Sequence, residues 1–247
     1  KKISIKEISS FLNIEYTKKN FYIETISSLN NIKNNSLLFY SNSKINNKKI
    51  DFKKLKNFKN IVIICDIKTK KNVNVPILLS KNPQFDFYRV IQKFFSTSEF
   101  KNSIHKTAII EKNSKLGKNI YIGSHCYVGN NVTIGDNTII LQNTCIYGKT
   151  KIGSNSVIKS NTTIGSEGFG FIPVNDELYH LPHVGSILIG DNVWIGSNST
   201  IEKSHIDQTI IEDHVKIDDL VQIGHNTIIK KFSQIAAGCV MVGKAKI

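Results

Sequence analysis

From Ile104 to Ile164 an aliphatic residue occupies every sixth position: Ile104, Ile110, Leu116, Ile122, Val128, Ile134, Ile140, Ile146, Ile152, Ile158 and Ile164. No other feature of the chain constrains its folding so tightly. Four residues after most of these anchors comes a small or β-branched side chain, as at Ala108, Ser114, Cys126, Val132, Thr138, Thr144, Thr150, Ser156 and Thr162, and a glycine often follows the anchor directly. A hexapeptide of this kind builds one short strand and one corner of a parallel β-helix. Three hexapeptides close a triangular coil, so residues 18 apart stack at about 4.8 Å, the strand spacing of any sheet. Spatial neighbours therefore follow from counting.

The register breaks twice. Residues 165–188 leave period six and contain Gly165-Ser166-Glu167-Gly168-Phe169-Gly170-Phe171 and His180-Leu181-Pro182-His183. Anchors resume at Ile189, Ile195 and Ile201, and the next stands at Ile211, ten residues on. From Ile217 through Ile223, Ile229, Ile235 and Met241 to Ile247 the spacing is again strict. Loops that leave a solenoid on one side usually form its binding face. The chain ends on an anchor in mid-coil, so the sequence predicts either a cap supplied from elsewhere or a shortened chain, because an open coil presents unpaired strands.

The 247 residues leave about a hundred ahead of the repeat, so two domains are expected, 1–100 and 101–247. In the first, residues 4–12 carry Ile5, Ile8, Phe11 and Leu12 at helical spacing behind Ser4, a candidate N-cap. Apolar runs at 37–40, 61–64 and 75–79 read as strands, and Asn82-Pro83 opens a helix to about residue 96. The N-terminal domain is thus a small α/β unit.

The formal charge is +14, yet Arg89 is the single arginine among 33 basic residues. Proteins that read phosphates or bases exploit the planar fork of Arg, so nucleic acid is set aside. A solvated lysine surface is the ordinary reading, with an acidic protein partner as the other, and the joint abundance of Lys, Asn and Ile has the look of an AT-rich genome. Cys65, Cys126, Cys145 and Cys239 lack metal-site spacing, and the last three are read as small inward-pointing residues in a reducing compartment. There is no apolar run of signal-peptide or membrane-spanning length, so a cytoplasmic protein is expected.

The segments IGSEGFGF (164–171), LPHVG (181–185), IDDLVQIGHN (217–226) and AAGCVMVGKAKI (236–247) resemble the UDP-3-O-acylglucosamine N-acyltransferases of lipid A synthesis. SLLFYSNSK (36–44) and NPQFDFYRV (82–90) extend the resemblance over nearly the whole chain. It implies a left-handed β-helix, a homotrimer, and transfer of a 3-hydroxyacyl chain from acyl carrier protein to the 2-amine of a UDP-sugar. The catalytic histidine falls on His225, the oxyanion glycine on Gly243, and an acid tied to activity on Asp218. The uracil-stacking aromatic falls on Phe39 and the uracil-contacting amide on Asn42, while the second stacking aromatic is replaced by Ile45. The family's second histidine and its C-terminal helices have no counterpart. No metal and no cofactor are implied.

The chemistry suits these residue types. Acyl transfer to an amine needs a base and a donor to the tetrahedral oxyanion, and imidazole titrates near working pH. Counting 18 from His225 reaches Gly243 independently of any family. The glycine permits either close approach of an N–H donor or a corner with positive φ. Asp218 lies in the hexad before His225 and is not expected to stack on it. Gln222 and Asn226 read either as substrate contacts or as corner hydrogen-bonding groups, and Phe39 as a stacking or a core ring. His105, His125, His180, His183, His205 and His214 are scattered, which argues against a three-histidine zinc site. The rival functions are another hexapeptide-repeat nucleotide-sugar acyltransferase and a shortened, non-catalytic β-helix.

Overall fold

The computed structural model describes residues 2–41, 52–69, 73, 75–96 and 100–247. Two compact units are present, Lys1–Ser98 and Glu99–Ile247.

The first unit begins with α1 (Ile5–Leu12), whose Ser4 cap forms a reciprocal box with Glu7. The Glu7 N–H donates to Ser4 Oγ at 3.2 Å and the Ser4 N–H to Glu7 Oε2 at 2.8 Å, satisfying two donors that a helix start otherwise leaves open. Ile5, Ile8 and Leu12 form its buried face. Four parallel strands follow in the order Thr25–Ile26, Ser36–Tyr40, Ile61–Cys65, Ile77–Leu79. All five residues of Ile61–Cys65 are buried, which suits a continuous apolar run in an inner strand. Then α2 (Pro83–Val90) starts at Asn82, whose side-chain oxygen accepts the Phe85 N–H at 3.2 Å, with Pro83 in the first turn where no N–H is needed. One π-helical turn, Ile91–Phe95, continues it.

The second unit is a left-handed parallel β-helix. Its short strands stack into parallel sheets of seven, seven and six members. The pairing is the one counted from sequence, with Ile122 opposite Ile104 and Ile140, and Val128 opposite Ile110 and Ile146. Ile122, Val128, Ile140, Ile146, Ile158 and Ile164 are fully enclosed, each such side chain contributing about 1.5–3 kcal/mol by leaving water. Ile104 is different: at the first coil it remains 49% exposed because only one side is covered. Several small positions bury hydroxyls that are satisfied locally, as Thr138 Oγ1 donates to the Gly153 carbonyl at 2.9 Å and Thr162 Oγ1 to that of Gly196 at 2.8 Å, whereas Thr150 Oγ1 is buried without a partner.

Corners explain much of the asparagine. The third residue after an anchor adopts left-handed φ at Asn119, Asn131, Asn137, Asn143, Asn155, Asn161, Asn192, Asn198 and Asn226. Asn tolerates that region better than most side chains because its short amide bonds locally. Side chains also ladder along the corner, Asn119 Nδ2 donating to Asn137 Oδ1 at 3.2 Å. One expectation is corrected: Cys145 does not point inward. It immediately precedes the anchor Ile146 on the strand Cys145–Ile146, so alternation turns it outward and leaves it half-buried, whereas Cys126 is enclosed.

Both breaks in period leave the coil intact. Ile158 pairs with Ile195, nineteen residues beyond the 18-residue period, and Ile195 with Ile217, four beyond it. The first insertion leaves at Gly165, where φ is +92°, and folds into an antiparallel hairpin of Phe171–Val174 and Glu177–His180. The second carries His205. Both insertions therefore project beside the coil that bears His225.

Candidate active site

His225 follows the strand Gln222–Ile223 and turns outward at a corner. Its backbone N–H donates to Glu202 Oε2 at 3.1 Å, and Glu202 Oε1 accepts Gln222 Nε2 at 2.6 Å. The ring Nδ1 lies 3.0 Å from Asn226 Oδ1. That amide is oriented by its other partners: Nδ2 donates to Ser204 Oγ at 2.6 Å and Oδ1 accepts the His205 N–H at 3.2 Å. An amide oxygen only accepts, so Nδ1 of His225 carries the proton and Nε2 keeps its lone pair in the neutral ring.

Gly243 occupies the next coil against this ring. A Cβ at Gly243 would lie 2.5 Å from His225 Nε2 and 2.6 Å from Cε1. A side chain at this position would therefore displace the imidazole.

The two insertions bring further imidazoles to the same place. The ring centroids of His183 and His205 are 3.9 Å apart, those of His205 and His225 4.8 Å, and those of His183 and His225 5.2 Å. His183 is almost wholly buried, at 1% exposure. Its Nδ1 lies 2.9 Å from the Leu181 carbonyl, and its Nε2 is buried without a hydrogen-bond partner. Burial, and then the neighbouring His205 and His225, push the His183 pKa below the usual histidine range. The contact with Leu181 and the Glu167 charge oppose that shift without reversing it. Neutral His183 thus donates through Nδ1 and offers Nε2 as an acceptor. Backbone pairing fixes the arrangement, the Val184 N–H donating to the His205 carbonyl and the Leu181 N–H to that of Gly170, each at 2.8 Å.

Beside the cluster opens a cavity of about 570 Å³ whose lining joins the apolar side chains of Phe169, Phe171, Leu181 and Ile206 to the polar ones of His205, His225, Asp207, Asn226 and Lys244. Phe169 is 87% and Ile206 78% exposed, so the His225 imidazole faces a partly apolar wall.

The other residues singled out from sequence lie elsewhere or have intramolecular partners. Asp218 follows the strand Lys216–Ile217 on a different sheet from His225 and lines a groove with Trp194, Gln234 and Ala236. Its Oδ1 accepts the Asp219 N–H at 2.9 Å. Gln222 donates to Glu202 and Asn226 to Ser204 as above, and Asn226 also meets the His225 ring. Phe39 is half-buried, 4.8 Å from the Phe87 ring and 6.4 Å from Tyr88. Asn42 and Ile45 lie outside the described residues. Past the carboxyl ends of Ser36–Tyr40, Ile61–Cys65 and Ile77–Leu79 a 640 Å³ pocket is lined by Ser41, Asp66, Ile67, Lys68, Leu79 and Ser80, the usual place for ligands on a parallel sheet.

The bacterial transferase hexapeptide family, in its six-repeat form, matches residues 103–135 and 131–166. This chain carries the transferase hexapeptide repeat. The hexapeptide chain is 48% identical over 84 residues to UDP-3-O-acylglucosamine N-acyltransferase of Acinetobacter baumannii, covering 34% of this chain and 24% of that protein. It is 47% identical over 87 residues to UDP-3-O-acylglucosamine N-acyltransferase 1 of Francisella tularensis, covering 34% and 23%. The match thus spans about a quarter of the length of these curated relatives. Among solved structures, a UDP-N-acetylglucosamine acyltransferase from Bacteroides fragilis superposes with a TM-score of 0.51 at 25% identity, covering 58% of this chain and 55% of that one. Among the described residues no helix is long and apolar enough to cross a membrane.

Proposed function

We propose that this chain is an N-acyltransferase that moves a 3-hydroxyacyl group from acyl carrier protein to the 2-amine of UDP-3-O-acylglucosamine, with His225 as general base. The observation that carries this reading is the His225 ring itself: Nδ1 bound to Asn226, Nε2 free, Gly243 without a side chain against it, and a partly apolar cavity beside it.

In the proposed reaction the sugar amine attacks the thioester carbonyl carbon, forming the C–N bond. His225 Nε2 takes the amine proton as that bond forms. The Gly243 N–H donates to the oxyanion of the tetrahedral intermediate. Collapse breaks the C–S bond, and the departing thiolate recovers the proton from His225. Phe169, Phe171 and Ile206 receive the acyl chain, and Lys244 lies where a phosphate of the carrier arm would find a cation. The lysine-rich surface supplies long-range attraction for an acidic carrier protein.

The N-terminal unit is assigned to the uridine moiety, with Phe39 offering a ring face and Asn42 an amide. Chains assemble as homotrimers through the flat faces of the β-helix. Because Asp218 stands on another sheet from His225, its part is assigned to the cleft between copies. The reaction belongs in the cytoplasm, where the carrier protein is found. Incubation of the chain with 3-hydroxyacyl carrier protein and UDP-3-O-acylglucosamine, read by the mass of the diacylated sugar, tests the proposal. Absence of product would leave a non-catalytic β-helix as the surviving reading.

A further inference from the structure

The third imidazole of the cluster, His183, takes no part in the reaction proposed above. Its Nε2 is buried and without a hydrogen-bond partner, a condition rare for a polar group unless something else satisfies it. One ring nitrogen from each of His183, His205 and His225 lies within 4.8 Å of the others. We propose that these three histidines form a site for a divalent transition cation of the zinc class.

The surroundings have the pattern of a metal site. Ligating histidines usually bind through one ring nitrogen while the other donates to a carbonyl or amide oxygen, which fixes tautomer and orientation. His183 Nδ1 meets the Leu181 carbonyl at 2.9 Å and His225 Nδ1 meets Asn226 Oδ1 at 3.0 Å, leaving both Nε2 lone pairs available. Three imidazoles with an open fourth position suit Zn²⁺. Ligands sharing a tetrahedral zinc at about 2.0 Å stand about 3.3 Å apart, so the ring nitrogens need to close by no more than about 1.5 Å.

Glycines leave that space open. A Cβ at Gly168 would fall 2.7 Å from both His183 Nε2 and Glu202 Oε2, and one at Gly170 would fall 3.1 Å from His205 Nε2. Glu202 places a carboxylate beside the cluster, a favourable counter-charge for a cation. A cation on His225 would also occupy the lone pair that transfer requires, so bound zinc and turnover exclude one another. That last consequence rests on the proposed function; the binding site does not.

Titration of ZnCl₂ into the metal-stripped full chain, followed by calorimetry, tests the site without reference to activity. One ion per chain is expected. His183→Gln and His205→Gln each remove a ligand and should weaken binding by at least ~10–100-fold, the loss typical of removing even a supporting group. His205 is only half-buried, so His205→Gln carries the test should His183→Gln fail to fold. His180→Gln removes a member of the neighbouring Glu167, His180 and His183 group and should leave affinity unchanged. Absence of stoichiometric binding, equal affinity in His205→Gln, or loss only in His180→Gln would overturn the site. Zinc that binds but leaves transfer uninhibited would overturn the exclusion alone.

Discussion

Gly243 is held against the imidazole of His225 by the coil spacing, with room for no side chain while the ring keeps its place: a Cβ there would lie within 3 Å of Nε2, Cε1 and Cδ2. The left-handed conformation of that corner belongs to the next residue, Lys244, at φ 65°, and Gly243 itself is not among the positive-φ glycines. Of the two roles open to this glycine in sequence, close approach is the one the geometry supports. Gly243→Ala should displace the ring and lower transfer by ~10²-fold, the scale of a roughly 1 Å misplacement of a catalytic group. Its melting temperature should stay near that of the parent, since only a side-chain end is in the way. Steady-state kinetics beside a thermal melt checks both.

Asn226 combines two duties that substitution separates. Its amide orients His225, and its backbone holds φ 59°. Asn226→Gly keeps the backbone freedom and removes the amide, so it should lose turnover with a smaller loss of stability. Asn226→Ala should lose the same turnover and a further ~1–2 kcal/mol from the left-handed backbone. Urea unfolding of the two variants measures that difference.

The solenoid was legible because its period is rigid. Counting by eighteen placed Val128 on Ile146 and Gly243 on His225, since each coil must stack on the last to close its hydrogen bonds. His183 and His205 were not legible by that count, because both lie in insertions that break it. Ser186 pairs with Gln208, a shift of 22 residues, and the same shift carries His183 to His205. The His-Leu-Pro-His motif and the ten-residue anchor gap marked both loops in sequence, but not their register. Cys145 departs from the inward expectation for a simpler reason: it stands one residue before an anchor, where alternation faces outward.

Acid should loosen the corner at Asp219. Its carboxylate meets Lys159 Nζ at 2.7 Å and accepts the Ser197 N–H at 2.7 Å. Those two contacts hold its pKa below the ordinary aspartate range, the Lys159 hydrogen bond contributing most. A depressed folded-state pKa means the folded chain binds fewer protons than the unfolded one. The contribution is therefore complete above the unfolded pKa, near 3.9, and is lost as pH falls through the lower folded value. Asp219→Asn should melt lower than the parent at neutral pH and lose less on acidification; parallel melting curves across that range would remove Asp219 from the acid response.

Anchors in the middle of the solenoid should be costly to truncate. Ile201 is fully buried and flanked by Ile164 and Ile223 on adjacent coils. Ile201→Ala should destabilise by ~2–5 kcal/mol, because stacked strands cannot collapse into the cavity. Denaturant titration gives the value.

Acyl transfer by the full chain with and without the His225 imidazole tests the central claim most directly. His225→Ala should lower the rate of 3-hydroxyacyl transfer to UDP-3-O-acylglucosamine by ~10²–10⁴-fold, the usual contribution of a positioned base, while melting temperature and oligomeric state stay unchanged. Turnover in His225→Ala equal to that of the parent would contradict the account.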